Sequence, residues 1–121
     1  MTVDDDPATQ QVLSVLIDVE PDLSAADQAY TGAEALRHVA TRSPDIIICD
    51  VNMPGMSGMQ ALPLLREACP GAVIALYSAH PMARTGLQLG ADAVFDKSST
   101  DPSLMLGELL RLCQVSSCAD A

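Results

Sequence analysis

The stretch Asp45-Ile46-Ile47-Ile48-Cys49-Asp50-Val51-Asn52-Met53-Pro54-Gly55-Met56-Ser57-Gly58 sets a short apolar run directly against one carboxylate and then against turn chemistry. Ile46 to Cys49 is mostly β-branched, does not alternate with polar residues, and is bounded by Pro44 and a Gly/Pro/Ser cluster. Those features describe a strand covered on both faces, as in a parallel sheet. Asp50 is then left at the carboxyl end of the strand, the edge where ligands of open parallel sheets bind. Taken alone, an Asp at a strand end is equally a plain cap, so the rest of the chain must separate the two readings.

At 121 residues the chain is long enough for one good core and too short for two. Hydrophobic residues make up 49%, but with no Trp, one Phe and two Tyr the core must be built from Leu, Ile, Val, Ala and Met. No apolar run approaches the roughly 18 residues of a membrane span, and the N-terminus is acidic where a signal peptide is basic. A cytoplasmic location is the expectation. Cys49, Cys69, Cys113 and Cys118 form no Cys-x-x-Cys pair and lie far in sequence from both His residues, which argues for plain thiols over disulfides or zinc. The formal charge of −10, from 16 acidic and 6 basic residues, excludes nucleic acid as a direct ligand.

Met1-Thr2-Val3 is extended and runs into Asp4-Asp5-Asp6-Pro7, where Pro7 is placed to open a helix with Asp6 as its N-cap. That helix is expected over about 7–19, with Val12, Leu13, Leu16 and Val19 facing inward. Asp4 and Asp5 repel one another unless a cation lies between them, which points to a divalent metal or, more plainly, to a solvated acidic turn. Residues 22–30 suit an edge strand. Thr31-Gly32-Ala33-Glu34 and Ser57-Gly58-Met59-Gln60 read as capping boxes for helices to about Thr41 and Ala68, the latter bent by Pro63. Ala72 to Tyr77 is a strand ending at Ser78. Pro81 starts a helix that carries Gly86, at a cost of up to about 1 kcal/mol, and stops at Gly90. Ala91 to Phe95 is a strand leading to Asp96 and Lys97. A Leu-rich last helix opens at Asp101-Pro102 and ends near Leu112, with 114–121 a polar tail or the start of a linker. Strands and helices alternate five times, which gives an α/β fold with a five-stranded parallel sheet, right-handed crossovers and helices on both faces.

Collecting the strand ends on one edge brings Asp4 and Asp5, Asp50, Ser78 and Lys97 together, and Lys97 is the only lysine of the chain. Each alone has a bland reading as a turn, a cap or a solvated charge; their arrival at one edge does not. A carboxylate is a competent nucleophile toward phosphorus, but nucleophile and phosphoryl group are both anions, so cations must stand beside them. Mg²⁺ on two carboxylates and a lysine ammonium supply those charges, and a small hydroxyl can bond a phosphoryl oxygen.

These residues, in this order and spacing, resemble the receiver domains of two-component response regulators over nearly the whole chain. The motifs are the Asp4-Asp5 pair, Asp50 with Val51-Asn52-Met53-Pro54-Gly55-Met56-Ser57-Gly58 behind it, Ser78-Ala79, and Lys97. The resemblance implies a receiver domain over 1–113 with a flavodoxin-like, CheY-like sheet in the order 2-1-3-4-5. It further implies Asp50 as phosphoacceptor, Asp5 and Asp50 as direct Mg²⁺ ligands, Asp4 as a ligand through water, and the backbone carbonyl of Asn52 completing the metal site. Ser78 and Lys97 would bind the phosphoryl group. The implied donor is a sensor histidine kinase or a phosphotransfer protein, and the reaction is self-catalysed rather than that of a turnover enzyme.

The chain departs from the family pattern at three places. Val94 stands where an aromatic switch residue is usual, with Phe95 directed to the opposite face; Ser98 replaces the proline after the lysine; and the first strand is short. Val94 and the short first strand favour the alternative of a pseudo-receiver, an interaction module that works without phosphorylation, while the intact acids, Ser78 and Lys97 weigh against it. A third reading, a phosphatase of the haloacid-dehalogenase type, is disfavoured, because Asn52 stands where a second Asp is needed and there is little room for a cap domain. The Leu-rich last helix, with the first, suggests a homodimer or partner surface.

Overall fold

The computed structural model describes residues 1–23, 27–53, 55–79 and 83–120, with the backbone alone for 83 and 115–120. In chain order the elements are β1 Thr2–Val3, α1 Pro7–Val19, β2 Gln28–Ala29, α2 Gly32–Thr41, β3 Ile46–Cys49, α3 Gly58–Ala68, β4 Val73–Ser78, α4 Ala83–Leu89, β5 Ala93–Asp96 and α5 Pro102–Asp120. All strand pairs are parallel, as the alternation implied, and the sheet order is β2-β1-β3-β4-β5, as the resemblance implied. Among the described residues, no helix is long and apolar enough to cross a membrane.

The central strands divide the core of this one domain between the two faces of the sheet. Ile47, Cys49, Ile74 and Leu76 pack with Ala35, Val39, Ala61, Leu62 and Leu65 under α2 and α3. Ile48, Val73, Ala75 and Tyr77 pack with Leu13, Ile17, Met105, Leu106 and Leu109 under α1 and α5. The apolar run before Asp50 is therefore covered on both sides, and Asp50 itself is only 6% exposed. Val94 joins the core on the first face and Phe95 that on the second, which confirms their opposite directions.

Local signals hold at most helix starts. Asp6 caps α1 by accepting the Ala8 N–H at 3.0 Å, with Pro7 in the first turn. Ser57 and Gln60 form the full reciprocal box at α3, whose Pro63 lies inside the helix. At α2 only half of the expected box forms: Thr31 accepts the Glu34 N–H, while the Glu34 carboxylate faces His38 at 3.9 Å. The peptide bond between Lys97 and Ser98 is trans.

Four expectations change. The buried face of α1 is Gln10, Leu13 and Ile17, whereas Val12 and Val19 are exposed. The amide of Gln10 binds strand carbonyls, so a polar residue occupies the seam and shifts the phase. The edge strand is narrower than 22–30, being Gln28–Ala29, and 24–26 lie outside the described residues. The last helix runs on to Asp120 through a segment without Gly or Pro, so 114–120 is helical. Most of its apolar residues turn inward, with Met105, Leu106 and Leu109 buried and Leu104 exposed; the longer exposed apolar row is Val12, Val15 and Val19 on α1. The roles given to Pro54 in the loop and Pro81 at the fourth helix fall on residues outside the described ones.

Two glycines are fixed by close approach. A Cβ at Gly58 would overlap the Asp50 carbonyl oxygen and stand 2.8 Å from Val51 Cα, so the start of α3 lies directly against the end of β3. At Gly86 a Cβ would meet Leu76 Cδ1 at 2.5 Å, so this glycine buys α4 close seating on β4 rather than mere looseness. Gly107, by contrast, is an exposed helix position with nothing within 4 Å. Gly58→Ala is expected to lose about 3 kcal/mol by overpacking, and Gly107→Ala to gain up to about 1 kcal/mol through helix propensity, both read from urea unfolding.

Candidate phosphoacceptor and metal site

Parallel register brings the acidic residues together. β1 is the central neighbour of β3, with Val3 opposite Cys49, so Asp4 and Asp50 leave adjacent strands at the same level. The Asp50 N–H donates to Val3 O at 2.8 Å and the Asp4 N–H to Ala29 O at 3.0 Å, which fixes both backbones just where the carboxylates depart. Asp4, Asp5 and Asp50 each offer an oxygen within 4.8 Å of the others. Asp4 and Asp50 are buried, and Asp5 is exposed at the mouth.

Lys97 arrives from the far edge. Its N–H donates to Ser78 O at 2.9 Å, which extends the β4–β5 pairing by one residue and turns the side chain toward β1 and β3. Lys97 Nζ lies 2.7 Å from Asp4 Oδ2 and 3.4 Å from Asp50 Oδ2. The Tyr77 ring centroid lies 5.7 Å from the same nitrogen, within reach of a cation–π contact. Ser78 is fully buried at the end of β4, and Asn52 is held beside Asp50 by its N–H, 3.4 Å from Oδ1. The residues singled out in the sequence thus converge on one edge. Tyr77 and Gln10 were not singled out. The signal for Tyr77 was parity, since 77, 95 and 97 share a face in this register.

The two buried carboxylates are not equivalent. Asp4 accepts a short bond from Lys97 and another from the Asp6 N–H at 2.9 Å, whereas among the described residues the bonds to Asp50, from Lys97 and the Asn52 N–H, are long. Asp50 therefore keeps acceptor capacity for an incoming group. Burial pushes the Asp4 carboxyl above its ordinary 3.8, against the Lys97 and Asp6 hydrogen bonds that favour the anion. Burial alone would lower the Lys97 ammonium, but the hydrogen bond and charge of Asp4, then those of Asp50, carry it above 10.5. The donor set is all hard oxygen, the chemistry that Mg²⁺ selects, so the residues fit that ion.

The model of the response regulator receiver domain family matches residues 1–107. The chain belongs to that family. Receivers of this family are phosphoacceptor modules of two-component systems rather than turnover enzymes. The nitrate/nitrite response regulator protein NarL of Escherichia coli (strain K12) is 30% identical over 108 residues, which are 87% of this chain and 50% of that protein. This receiver thus spans about half the length of that relative. The response regulator domain of Thermotoga maritima CheB is 27% identical, with a TM-score of 0.78 over 95% of this receiver and 92% of that chain. A CheY-like receiver domain protein from Methanospirillum hungatei JF-1 shares the fold at a TM-score of 0.88 and 21% identity, covering 98% and 94% of the two chains.

Because Asp4 binds its proton more tightly folded than unfolded, its contribution to stability falls as pH rises from 3.8 through the raised folded value, and then levels. Asp4→Asn lacks that loss. Thermal melting without divalent ions is expected to find Asp4→Asn at least as stable as the wild type at pH 7, the advantage shrinking toward pH 4. A variant several degrees less stable at pH 7 would show that the Lys97 bond outweighs the burial cost.

Proposed function

We propose that this receiver takes a phosphoryl group onto Asp50 from the phosphohistidine of a sensor histidine kinase or phosphotransfer protein, in a Mg²⁺-dependent reaction that its own residues catalyse. The observation that supports the reading is a nearly buried carboxylate 3.4 Å from the chain's only lysine nitrogen, with two further carboxylates in reach of one cation. An Asp50 oxygen attacks phosphorus, a P–O bond forms and the P–N bond of the donor breaks. Lys97 stands ready to pair with the charge on the phosphoryl oxygens, and the Ser78 hydroxyl bonds one of them. Asp5 and Asp50 would hold Mg²⁺ directly, with the Asn52 carbonyl, and Asp4 would hold it through water. When bound, the ion neutralises charge on the attacking and transferred oxygens. A carboxylate such as Asp50 can serve as the nucleophile without a neighbouring base to take a proton from it.

The change is passed on through β4, β5 and α4 rather than through an aromatic at position 94. Val94 packs inward, and Gly86 of α4 lies against Leu76 and Val94, so a shift that starts at Ser78 and runs back along β4 meets α4 at Leu76. The receiver works in the cytoplasm and docks no nucleic acid itself. Its contact with a second copy or an output partner lies on α5 with the adjoining α1, where Leu104, Val12, Val15 and Val19 are exposed.

Incubated with Mg²⁺ and acetyl phosphate, the protein is expected to gain the mass of one phosphoryl group. Asp50→Asn gains none, and chelation of the metal abolishes the gain in the wild type. A wild type whose mass stays unchanged under these conditions would instead make the chain a phosphorylation-independent interaction module.

A further inference from the structure

Among the described residues, the buried polar side chains are Thr2, Asp4, Gln10, Asp50 and Ser78. Four of them belong to the site or to the strand that carries it; Gln10 comes from α1 and is 1% exposed. Its Nε2 donates toward Ala29 O at 2.9 Å, Asp4 O at 3.1 Å and Thr2 O at 3.3 Å, and its Oε1 accepts the Thr2 hydroxyl. One carboxamide therefore gathers the carbonyls at the ends of β1 and β2, just where two-residue strands run out of ladder partners.

The contact with Asp4 O bears on the chemistry. That carbonyl belongs to the planar unit joining Asp4 to Asp5, so holding it sets the direction in which the backbone enters Asp5. Asp4 is held a second time through its side chain, by Lys97 and the Asp6 N–H. Among the described residues none holds the Asp5 side chain in that way: Asp5 is exposed, and its aim depends on the backbone behind it.

We propose that Gln10 is a positioning residue for the metal site, holding the Asp4–Asp5 peptide so that Asp5 faces Asp50. The proposal rests on the reading of Asp4, Asp5 and Asp50 as the Mg²⁺ site. Gln10 touches neither metal nor phosphoryl group; it acts through the backbone of the acids. Groups that orient metal ligands commonly matter for affinity nearly as much as the ligands themselves.

The test is Mg²⁺ calorimetry on Gln10→Met, which keeps the bulk and removes the donors, and on Gln10→Glu, which keeps the shape and turns a carboxylate on the same carbonyls. Each is expected to bind Mg²⁺ about tenfold more weakly. The Asp5 amide resonance should shift in the metal-free protein, and phosphorylation by acetyl phosphate should recover toward the wild-type rate at saturating Mg²⁺. Should either variant fail to fold, Thr2→Val decides, because it frees the carboxamide from its Thr2 hydroxyl anchor and is expected to weaken binding in the same direction. Affinity within twofold of wild type in every folded variant overturns the proposal, as does a wild type that binds no Mg²⁺. A wild type that binds Mg²⁺ but takes up no phosphoryl group removes the acceptor reading and leaves Gln10 to be judged by the calorimetry alone.

Discussion

The arrangement depends on one ammonium group between two buried carboxylates. Two unit charges 4 Å apart interact by about 4 kcal/mol at the effective dielectric of a partly buried site. Asp4 and Asp50 would therefore repel each other strongly on adjacent strands without Lys97, which lies 2.7 Å from one and 3.4 Å from the other. The fold supplies this geometry at no further cost, because parallel strands bring their carboxyl ends to one edge. The unequal distances also divide the labour. Asp4 anchors the lysine, and Asp50 stays open for chemistry.

That edge is built on short central elements. β1 contributes two residues to the sheet, yet it carries two of the three acids and lies between β2 and β3. Its hold on position comes from outside the strand: Asp50 N–H on Val3 O, Asp4 N–H on Ala29 O, and the Gln10 carboxamide from α1. On the other flank, Gly58 lets α3 start against the Asp50 carbonyl, so the Asp50 backbone is fixed from in front as well as from beneath. Among the described residues no buried side-chain nitrogen or oxygen lacks a partner. Polarity is thus concentrated at the working edge and satisfied there.

Most of the site was legible in the sequence because each strand that feeds it, β1, β3, β4 and β5, ends where an apolar run meets a charged or hydroxyl residue. Ile46 to Cys49 before Asp50 is the clearest case, and the lone lysine after Phe95 is another. Sequence patterns failed where polarity and burial part company. Gln10 looks like a surface residue and is buried, which hid the true face of α1 and made Val12 and Val19 look like core. Helix ends without a stop signal were also misjudged, since nothing from Gln114 to Asp120 forbids another turn in α5. The cation–π contact of Tyr77 needed the β4–β5 register, which no single strand reveals.

Lys97 is the only lysine in the chain, so the carbon beside its nitrogen gives one unambiguous side-chain signal for an NMR titration. The account predicts an ammonium pKa above 10.5 that drops when either Asp4 or Asp50 is replaced by asparagine. A value at or below 10.5 that neither substitution moves would mean that the lysine stands in solvent, and the account of the site would be contradicted.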